Sequence, residues 1–365
     1  MKLFTNDPYW KYQWGHESIK VDSAWLIETG DTGIKVAVID NGVDYEHPDL
    51  KSAFGSQKGY DFYENDNDPM PTKVGLDNHH GTHCAGIIGA TINNEIGIAG
   101  LAKIRILAVR VGEGSDLLAD RAADGICWAA DNGAKVINMS FGTDQPVAII
   151  KTACNYAYAK GCVLVAAAGN AGDSVVNYPA AYPKVIAVGA LAEGDTLASF
   201  SNYGDSLELV APGDYIISLG YDSSYWYMSG TSQAAPYVCG VIALMLSHNP
   251  NLSVETIRDI LHEEAVDLGV AGYDKKYGYG KVHAYRSVKS SAIQENLFIK
   301  KIKPIAYPNP FRNYLYIKGS EANLYDCTGR LIARIKSNKF YTYKLKNGIY
   351  FIRINNTTQK LVKIE

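Results

Sequence analysis

The sequence contains no continuous apolar run of the roughly 18 residues that a membrane-spanning helix requires. Its net charge is only −3, and no block of like charge points to a nucleic-acid or anionic-membrane partner. No glycine-rich phosphate loop follows the first predicted strand, which argues against a nucleotide-dependent α/β enzyme. With 47% hydrophobic residues, we expect a globular protein with no integral membrane segment and no nucleic-acid partner.

Cysteine is scarce, and none of the six cysteines forms the CxxC pairs of a zinc site. Four of them lie in apolar stretches, where a free cysteine behaves as a small core residue. Cys154 and Cys162 could form a disulfide, but spacing says nothing about geometry, and we favour free thiols. Residues 1–8 lack the apolar core of an export leader, so we expect either an intracellular protein or a leader outside this sequence.

Short apolar runs alternate with helical patterns over the first 290 residues. Because the runs are apolar on both faces, they predict a doubly wound, mostly parallel β-sheet with helices on both sides. The predicted strands are 34–39, 104–109, 134–139, 163–168, 185–188 and 207–210, and the predicted helices are 22–28, 81–91, 116–131, 147–160 and a buried helix over 237–246.

The sequence pattern changes near residue 290. From there, short tyrosine-rich segments typical of strands alternate with residues typical of turns. We expect a domain over 1–289, a linker over 290–304 and a small all-β sandwich over 305–365. The strands predicted in the sandwich are 314–317, 322–325, 331–335, 340–345, 349–354 and 360–364.

Ser232 lies in the turn that leads into the long apolar helix. A serine at this place is commonly only an N-cap. As a nucleophile it would need an imidazole to take its proton, a carboxylate to orient the imidazole and donors for an oxyanion. His80, Asp40 and Asn170 can fill these roles, because Asp40 and Asn170 follow predicted strands and His80 begins a helix.

Four blocks of the sequence resemble, in order, the signature blocks of the subtilisin-like serine proteases, in particular the thermitase and proteinase K branch. These blocks are residues 40–42, 80–86, 168–170 and 230–236. The resemblance implies that Asp40 orients His80, which acts as general base and then general acid. It implies that Ser232 attacks the scissile carbonyl, and that Asn170 and the Ser232 backbone N–H hold the oxyanion. Asn41 and Gln233 depart from the residues usual in the family.

The resemblance also implies a substrate-binding cleft. Segment Ser140-Phe141-Gly142 would pair with the substrate backbone by β-strand addition. Ala167, Ala168 and Gly169 would line the pocket for the residue before the cut. By family position Ala171 and Asn177 lie near its base, which favours an uncharged, medium-sized residue.

Calcium is the cofactor that the resemblance implies. In a first site the carboxylates of Asp7 and Asp49 and the Asn94 side chain would join the carbonyl oxygens of Ile92, Ile96 and Ile98. A second, weaker site would use Asp61, Asp66 and Asp68, although clustered acids in a loop are more often simply solvated.

Two further features near the predicted site have alternative interpretations. His79 and His83 could share a metal ion, but no third ligand lies at zinc-site spacing, and we favour structural or exposed roles. Cys84 falls where one branch of the family has a free thiol beneath the histidine, which predicts sensitivity to mercurials; a merely buried thiol fits as well.

The C-terminal module resembles the sorting domain of type IX secretion, in residues 306–311, 324–330 and 347–352 and in Lys363. A tyrosine-rich carbohydrate-binding or adhesive sandwich is the alternative. We therefore expect a secreted or cell-surface, monomeric serine endopeptidase that cleaves proteins through an acyl-enzyme and contacts the secretion machinery through this module. The alternative is a catalytically silent subtilase fold that serves as a binding or adhesive protein.

Overall fold

The apolar runs of the sequence form strands in the computed structural model, which describes residues 5–72, 76–292, 306–307, 310–318, 321–354 and 357–363. The chain divides into two units, Met1–Ile293 and Gln294–Glu365. Each unit has its own hydrophobic core.

The first unit contains helices and strands in alternation. Its α-helices are α1 (Trp14–Ser18), α2 (Val21–Ala24), α3 (His80–Gly89), α4 (Ala119–Asp131), α5 (Ala148–Ala159), α6 (Thr231–His248), α7 (Val254–Glu264) and α8 (Ala284–Ser291). Its strands are β1 (Lys35–Asp40), β2 (Gly59–Asp61), β3 (Arg105–Arg110), β4 (Gly112–Glu113), β5 (Asp116–Leu117), β6 (Val136–Met139), β7 (Val163–Ala167), β8 (Val185–Ala192), β9 (Thr196–Leu197), β10 (Leu209–Pro212), β11 (Ile216–Gly220) and β12 (Ser224–Met228). Short 3₁₀ turns lie at Trp10–Tyr12, Lys51–Ala53 and Leu76–His79.

One large sheet organises this unit. Its strand order is β10-β8-β7-β6-β1-β3-β2, and every pair in that order is parallel. Strand β9 joins β8 in the antiparallel sense at one side. From β1 the chain passes to β2 at one side of the sheet and returns to β3, then crosses to β6 and continues through β7 and β8 to β10. The connections that leave β1 and β6 therefore run in opposite directions, and open α/β sheets bind their ligands at such a point.

Both faces of the sheet are covered, which confirms the doubly wound prediction. Along β1, Val36 and Val38 pack into the core that contains α3 and α6, whereas Ala37 and Ile39 pack into the core that contains α4 and α5. Residues that alternate along a strand point to opposite faces. Every apolar residue of β1 is therefore buried, as the uninterrupted apolar run predicts.

Several elements differ from the sequence prediction. The helix expected from residue 116 begins at Ala119, because Asp116 and Leu117 instead pair with Gly112 and Glu113 in a small hairpin. The β11–β12 hairpin, β2, α7 and α8 were not predicted. Helix α8 ends at Ser291, two residues beyond the expected end of the first domain, and the predicted linker lies from residue 293 onward outside the described residues.

The second unit consists of antiparallel strands, as expected. They are β13 (Ala306–Tyr307), β14 (Tyr314–Ile317), β15 (Ala322–Asp326), β16 (Leu331–Ile335), β17 (Lys339–Tyr341), β18 (Gly348–Ile354) and β19 (Thr357–Lys363). Strands β13-β14-β17 form one sheet and β16-β15-β18-β19 form the other. The strand expected over 340–345 ends at Tyr341, because the chain turns at Thr342, whose carbonyl accepts from Leu345 N–H.

All six cysteines are free, so no disulfide joins Cys154 and Cys162. Cys84, Cys154, Cys162 and Cys239 are buried, which confirms their expected role as core residues. Among the described residues, no helix combines the length and the apolar character that crossing a bilayer requires.

Candidate active site

Three adjacent strands of the large sheet end at, or shortly before, a polar residue. Asp40 is the last residue of β1, Ser140 directly follows β6, and Asn170 comes three residues after β7. Because β1, β6 and β7 are parallel neighbours, these residues lie at one edge of the sheet. Helix α6 packs beneath them, and its first turn carries Ser232 to the same edge.

Asp40 and His80 form a hydrogen-bonded pair. The two carboxylate oxygens of Asp40 lie 2.9 and 3.0 Å from Nδ1 of His80. Since a carboxylate only accepts hydrogen bonds, the neutral ring carries its proton on Nδ1, and its acceptor lone pair is on Nε2. Asp40 is 1% exposed and also accepts from Asn41 N–H, so its position is fixed.

Ser232 is the second residue of α6 and is not its N-cap, which is Gly230. Its backbone N–H therefore lies in the first helical turn, where it has no intrahelical acceptor and where the helix dipole is positive. The Ser232 hydroxyl donates to the carbonyl oxygen of Ser140 at 3.0 Å, and the Ser140 hydroxyl donates to the carbonyl oxygen of Ser232 at 2.8 Å. These two bonds tie the start of α6 to the end of β6.

The side chain of Asn170 is oriented by Thr231. Its Oδ1 accepts hydrogen bonds from both the backbone N–H and the hydroxyl of Thr231, each at 2.8 Å. The same hydroxyl accepts from Gly169 N–H at 3.1 Å. Both Thr231 groups are donors, so the atom that they contact must be the amide oxygen Oδ1 and not Nδ2. The N–H groups of this exposed side chain therefore point away from Thr231.

Close backbone contact brings the His80 helix against the Asp40 strand. A Cβ atom at Gly81 would lie 2.2 Å from the carbonyl oxygen of Gly42, so only glycine fits there. Asn41 bridges the neighbouring segments: its Oδ1 accepts from Gly81 N–H at 3.1 Å and its Nδ2 donates to Gly114 carbonyl oxygen at 3.0 Å. Asn41 thus connects the start of α3 with the edge of the cleft.

A cleft of about 790 Å³ opens over these residues and has Asp40, His80, Asn170 and Ser232 in its wall. Of the predicted substrate-binding residues, Ser140, Phe141 and Gly142 also line it. Ala167, Ala168 and Gly169 do not appear among the described lining residues, and the side chains of Ala167 and Ala168 are buried in the core.

Other lining residues were not predicted from the sequence. They come from the β4–β5 hairpin, from α4 and α5, from the 178–182 segment and from the end of β12. They include Leu117, Ala122, Val147, Ile150, Tyr178, Tyr182 and Met228. No sequence motif marks them, because they reach the cleft only through the packing of helices and loops around the sheet.

The thiol of Cys84 lies beneath the Asp40–His80 pair. Its Sγ is within 4.8 Å of the nearest polar atoms of both residues, and it donates to the Ser232 carbonyl oxygen at 3.4 Å. Burial raises the pKa of this thiol well above its usual value. The predicted sensitivity to mercurials stays a prediction.

His79 and His83 do not converge on a metal site. Nε2 of His83, a buried residue, lies 3.0 and 3.1 Å from the carbonyl oxygens of Ile216 and Trp226, and burial lowers its pKa to about 3. His79 stacks on Trp226 and its Nδ1 accepts from Tyr221 N–H. In the described part of the chain, the one group of three metal-ligating side chains is Asp40, His80 and Cys84.

The residues of the first predicted calcium site lie together. Asp7 is buried, and its carboxylate accepts from the backbone N–H groups of Asn93 and Asn94. Asp49 is fully buried and accepts from Asn94 Nδ2 at 2.7 Å and from Ile98 N–H at 2.9 Å. Burial raises the pKa of Asp49 to about 7, and the charge of Asp7 adds to that effect.

The donor set of this loop fits a calcium ion. Within the described residues, no donor contacts the carbonyl oxygens of Ile92, Ile96 and Ile98, although Ile98 is fully buried. A buried carbonyl without a partner is unfavourable unless a cation completes its contacts. In this arrangement the Asn94 side-chain oxygen accepts from Ile96 N–H.

The acids of the second predicted calcium site do not converge on one point. One oxygen of Asp61 lies 2.7 Å from the guanidinium of Arg110, and the other accepts from the N–H groups of Tyr63 and Glu64. Asp66 accepts from Asp68 N–H, and Asp68 accepts from the Tyr45 hydroxyl. This site stays a prediction that the position of Asp61 does not favour.

Comparisons with known proteins match both units. Residues 31–280 match the model of the subtilase family, and residues 305–364 match the model of a secretion system C-terminal sorting domain. A thermophilic serine proteinase from Bacillus sp. is 47% identical over 78% of this chain and 69% of its own length. Thermitase from Thermoactinomyces vulgaris is 43% identical over 78% of this chain and 99% of its own length.

A solved structure agrees with these relatives. A protease from Pseudoalteromonas arctica superposes with a TM-score of 0.71 at 30% identity, over 79% of this chain and 99% of that chain. The similarity covers the part of the chain that holds Asp40, His80, Asn170 and Ser232.

Proposed function

The chain belongs to the subtilase family of serine proteases, and we propose that it hydrolyses internal peptide bonds of proteins with Asp40, His80 and Ser232 as catalytic triad. The observation that carries this proposal is the Asp40–His80 hydrogen bond at the wall of a cleft that also contains Ser232 and Asn170. Four residues of the required chemical types, from four different elements, meet at one sheet edge.

The proposed reaction begins when Ser232 exchanges its hydrogen bond to Ser140 for one to Nε2 of His80. Oγ then attacks the scissile carbonyl as its proton passes to His80, and Asp40 stabilises the imidazolium. His80 returns the proton to the leaving amine, and the acyl-enzyme remains. A water molecule activated by His80 hydrolyses that ester and regenerates the serine.

The negative oxygen of the tetrahedral intermediate needs donors that are already in place. The Asn170 amide supplies one: Thr231 binds its oxygen, so its N–H groups point away from Thr231 and can donate to the substrate oxygen. The Ser232 backbone N–H in the first turn of α6 supplies another. Such fixed donors stabilise the transition state more than the bound substrate.

The cleft favours uncharged substrate residues. Apart from Asp40 and His80, the described lining residues carry no ionisable group other than tyrosine. Leu117, Val147, Ile150 and Tyr182 supply apolar surface, so a charged substrate side chain there would lose hydration without gaining a partner. We therefore propose that the substrate carries apolar or aromatic side chains at the positions that contact Leu117, Val147, Ile150 and Tyr182.

Calcium binding is common in the family, and we propose that one ion binds between Asp7, Asp49 and the 92–98 loop. The support is the pair of buried carboxylates and the unpartnered carbonyl oxygens described above. The ion would neutralise two buried negative charges and connect the N-terminal segment to the loop. Its role would be structural, because these residues are absent from the wall of the cleft.

The protein is secreted or displayed at the cell surface, and its C-terminal unit is a secretion sorting domain. We propose that this unit contacts the secretion machinery and that the protease acts as a monomer.

The decisive experiment is labelling with a serine-directed fluorophosphonate. We expect the full chain to be labelled at Ser232, and Ser232→Ala to lose labelling and casein hydrolysis by about 10⁶-fold, as found for the same change in subtilisin. Ser247→Ala, at the far end of the same helix, is the matched control and should keep both activities.

The competing function is a silent subtilase fold that only binds other molecules. A folded sample that takes up no fluorophosphonate and hydrolyses no casein would establish that alternative. Full activity in Ser232→Ala would show that another residue is the nucleophile.

A further inference from the structure

The outer face of the β13-β14-β17 sheet is covered with tyrosine. On β14, Leu315 and Ile317 point into the core of the second unit, so Tyr314 and Tyr316 point outward, each 38% exposed. The strand register places Tyr307 beside Tyr316 on one side and Tyr341 beside Tyr314 on the other. We call this set of Tyr307, Tyr314, Tyr316 and Tyr341, with Lys318 and Lys339, the tyrosine face.

Two lysines lie among these rings. Nζ of Lys339 is 4.8 Å from the centre of the Tyr314 ring, 5.3 Å from that of Tyr316 and 5.2 Å from that of Tyr341. Nζ of Lys318 is 5.8 Å from the centre of the Tyr307 ring. None of the three strands contains an acidic residue, so the charged side chain that they add to the aromatic surface, Lys339, is positive, as is the neighbouring Lys318.

The charge of the whole unit has the same sign. Residues 294–365 contain 14 lysines and arginines against four acidic residues, whereas residues 1–293 contain 21 against 34. The net charge of −3 therefore hides a strongly basic C-terminal unit and a strongly acidic protease unit. A negatively charged polymer would be attracted to the basic unit and repelled by the acidic one.

We propose that the tyrosine face binds an acidic polysaccharide whose sugars carry uronic carboxylates. The flat apolar face of a sugar ring packs on an exposed aromatic ring. The rings of Tyr307 and Tyr316 have centres 5.6 Å apart and are inclined by 34°, so they offer two consecutive places along a chain. The Tyr314 ring lies 5.3 Å from Tyr316 at 72° to it and presents its edge beside them. The phenol groups hydrogen-bond sugar hydroxyls, and Lys318 and Lys339 pair with the carboxylates. A secreted or cell-surface protein meets such polymers outside the cell, which favours them over nucleic acid.

Binding to a polyuronate would hold the protease on an extracellular matrix or cell surface. This role is separate from peptide hydrolysis, because none of its residues lines the cleft. It also differs from contact with a secretion machinery, since the ligand is a carbohydrate.

The test measures binding of the full chain, in the Ser232→Ala background to prevent self-digestion, to polygalacturonate and to alginate. Neutral dextran and a single-stranded oligothymidylate serve as comparison ligands. We expect saturable binding to both polyuronates and at least tenfold weaker binding to dextran and to the oligonucleotide.

Variants then locate the site. Tyr316→Ala should weaken polyuronate binding at least tenfold, and Lys339→Gln several-fold with a shallower salt dependence. The matched controls are Tyr325→Ala and Arg334→Gln on the other sheet of the same unit, which should stay within twofold of the parent. All six positions of the tyrosine face are at least partly exposed, so an unchanged melting temperature will verify that the fold is retained.

Three outcomes would overturn the proposal. One is no binding to either polyuronate, and another is tighter binding to the oligonucleotide. The third is binding that Arg334→Gln weakens as much as Lys339→Gln while Tyr316→Ala leaves it intact, which would indicate non-specific attraction by the basic unit.

Discussion

At the scale of single residues, the proposed oxyanion donor depends on a neighbour that performs no chemistry itself. Thr231 accepts from Gly169 N–H and donates to Asn170, so its hydroxyl links the end of the β7 strand to the amide. Asn170 is exposed, and without this hydroxyl its side-chain oxygen would keep the bond from the Thr231 backbone N–H but lose one of the two donors that orient it. Thr231 is therefore a positioning residue, and its effect should appear in the chemical step.

We predict that Thr231→Val lowers kcat about tenfold while KM changes less than twofold. Valine keeps the β-branched shape but removes the hydroxyl that orients Asn170, and an interaction needed mainly in the transition state affects kcat rather than KM. Thr231→Ser should restore most of the activity. Steady-state kinetics on a chromogenic peptide provide the measurement.

Asn170→Ala sets the scale for that effect. Removing the donor itself should lower kcat by about 100- to 1000-fold, the range known for the same donor in subtilisin. If Thr231→Val raised KM instead, or if Thr231→Ser failed to restore kcat, the positioning role would be wrong.

The sequence was informative about these residues to different degrees. Asp40, His80, Asn170 and Ser232 lie in short motifs whose spacing reflects strand ends and helix starts, and the structure brings them to one edge. The neighbours that orient them could not be predicted, since the bond from Thr231 to Asn170 spans 61 positions. Such contacts depend on packing between elements rather than on local pattern.

At the scale of elements, long apolar runs were predicted well and short or amphipathic elements poorly. The parallel strands are buried on both faces, so their sequences contain continuous apolar runs. The β11–β12 hairpin was missed because β12 is partly exposed and its sequence Ser-Tyr-Trp-Tyr-Met has no clear alternation of apolar and polar residues. Helices α7 and α8 follow the 230–236 block and contain few apolar residues.

The 92–98 loop is the element for which calcium removal gives the clearest prediction. Calcium at a hundred times its Kd would add about 2.7 kcal/mol to the free energy of unfolding. For a unit of this size that corresponds to roughly 4–5 °C in melting temperature. We therefore expect a chelator to lower the melting temperature of Ser232→Ala by about this amount, as measured by calorimetry.

Variants identify which carboxylates bind the ion. Asp49→Asn should abolish the calcium-dependent shift, whereas Asp259→Asn, an exposed residue of α7, should leave it unchanged. Loss of part of the shift in Asp68→Asn would show that the second predicted site also binds calcium. A melting temperature that ignores the chelator would rule out the first site.

At the scale of the whole molecule, the charge of the chain is divided between its two units. Net charge averages over the chain, so the division appears only when the charges are counted separately on the two sides of the boundary near residue 293. The protease unit is acidic. It also buries two neutral histidines, His16 and His83, that lie far apart in the sequence. Burial lowers the pKa of both His16 and His83 to about 3.

These histidines predict loss of stability in acid. Their pKa values in the folded state lie below the unfolded value of about 6.5, so below that pH the unfolded chain binds more protons than the folded one. Their contribution to stability is complete above pH 6.5 and falls as the pH drops toward 3. Each group contributes a slope of at most about 1.4 kcal/mol per pH unit.

His16→Gln separates this contribution from that of other titrating groups. His16 contacts the Tyr237 hydroxyl and Gln13, and neither side chain is charged there. The free energy of unfolding, measured by urea denaturation of Ser232→Ala at pH 7, 6, 5 and 4 with saturating calcium, should fall less steeply by about 1.4 kcal/mol per pH unit in the variant. Equal slopes in the two proteins would mean that folding does not lower the pKa of His16. In that case acid would unfold the protease unit through other groups.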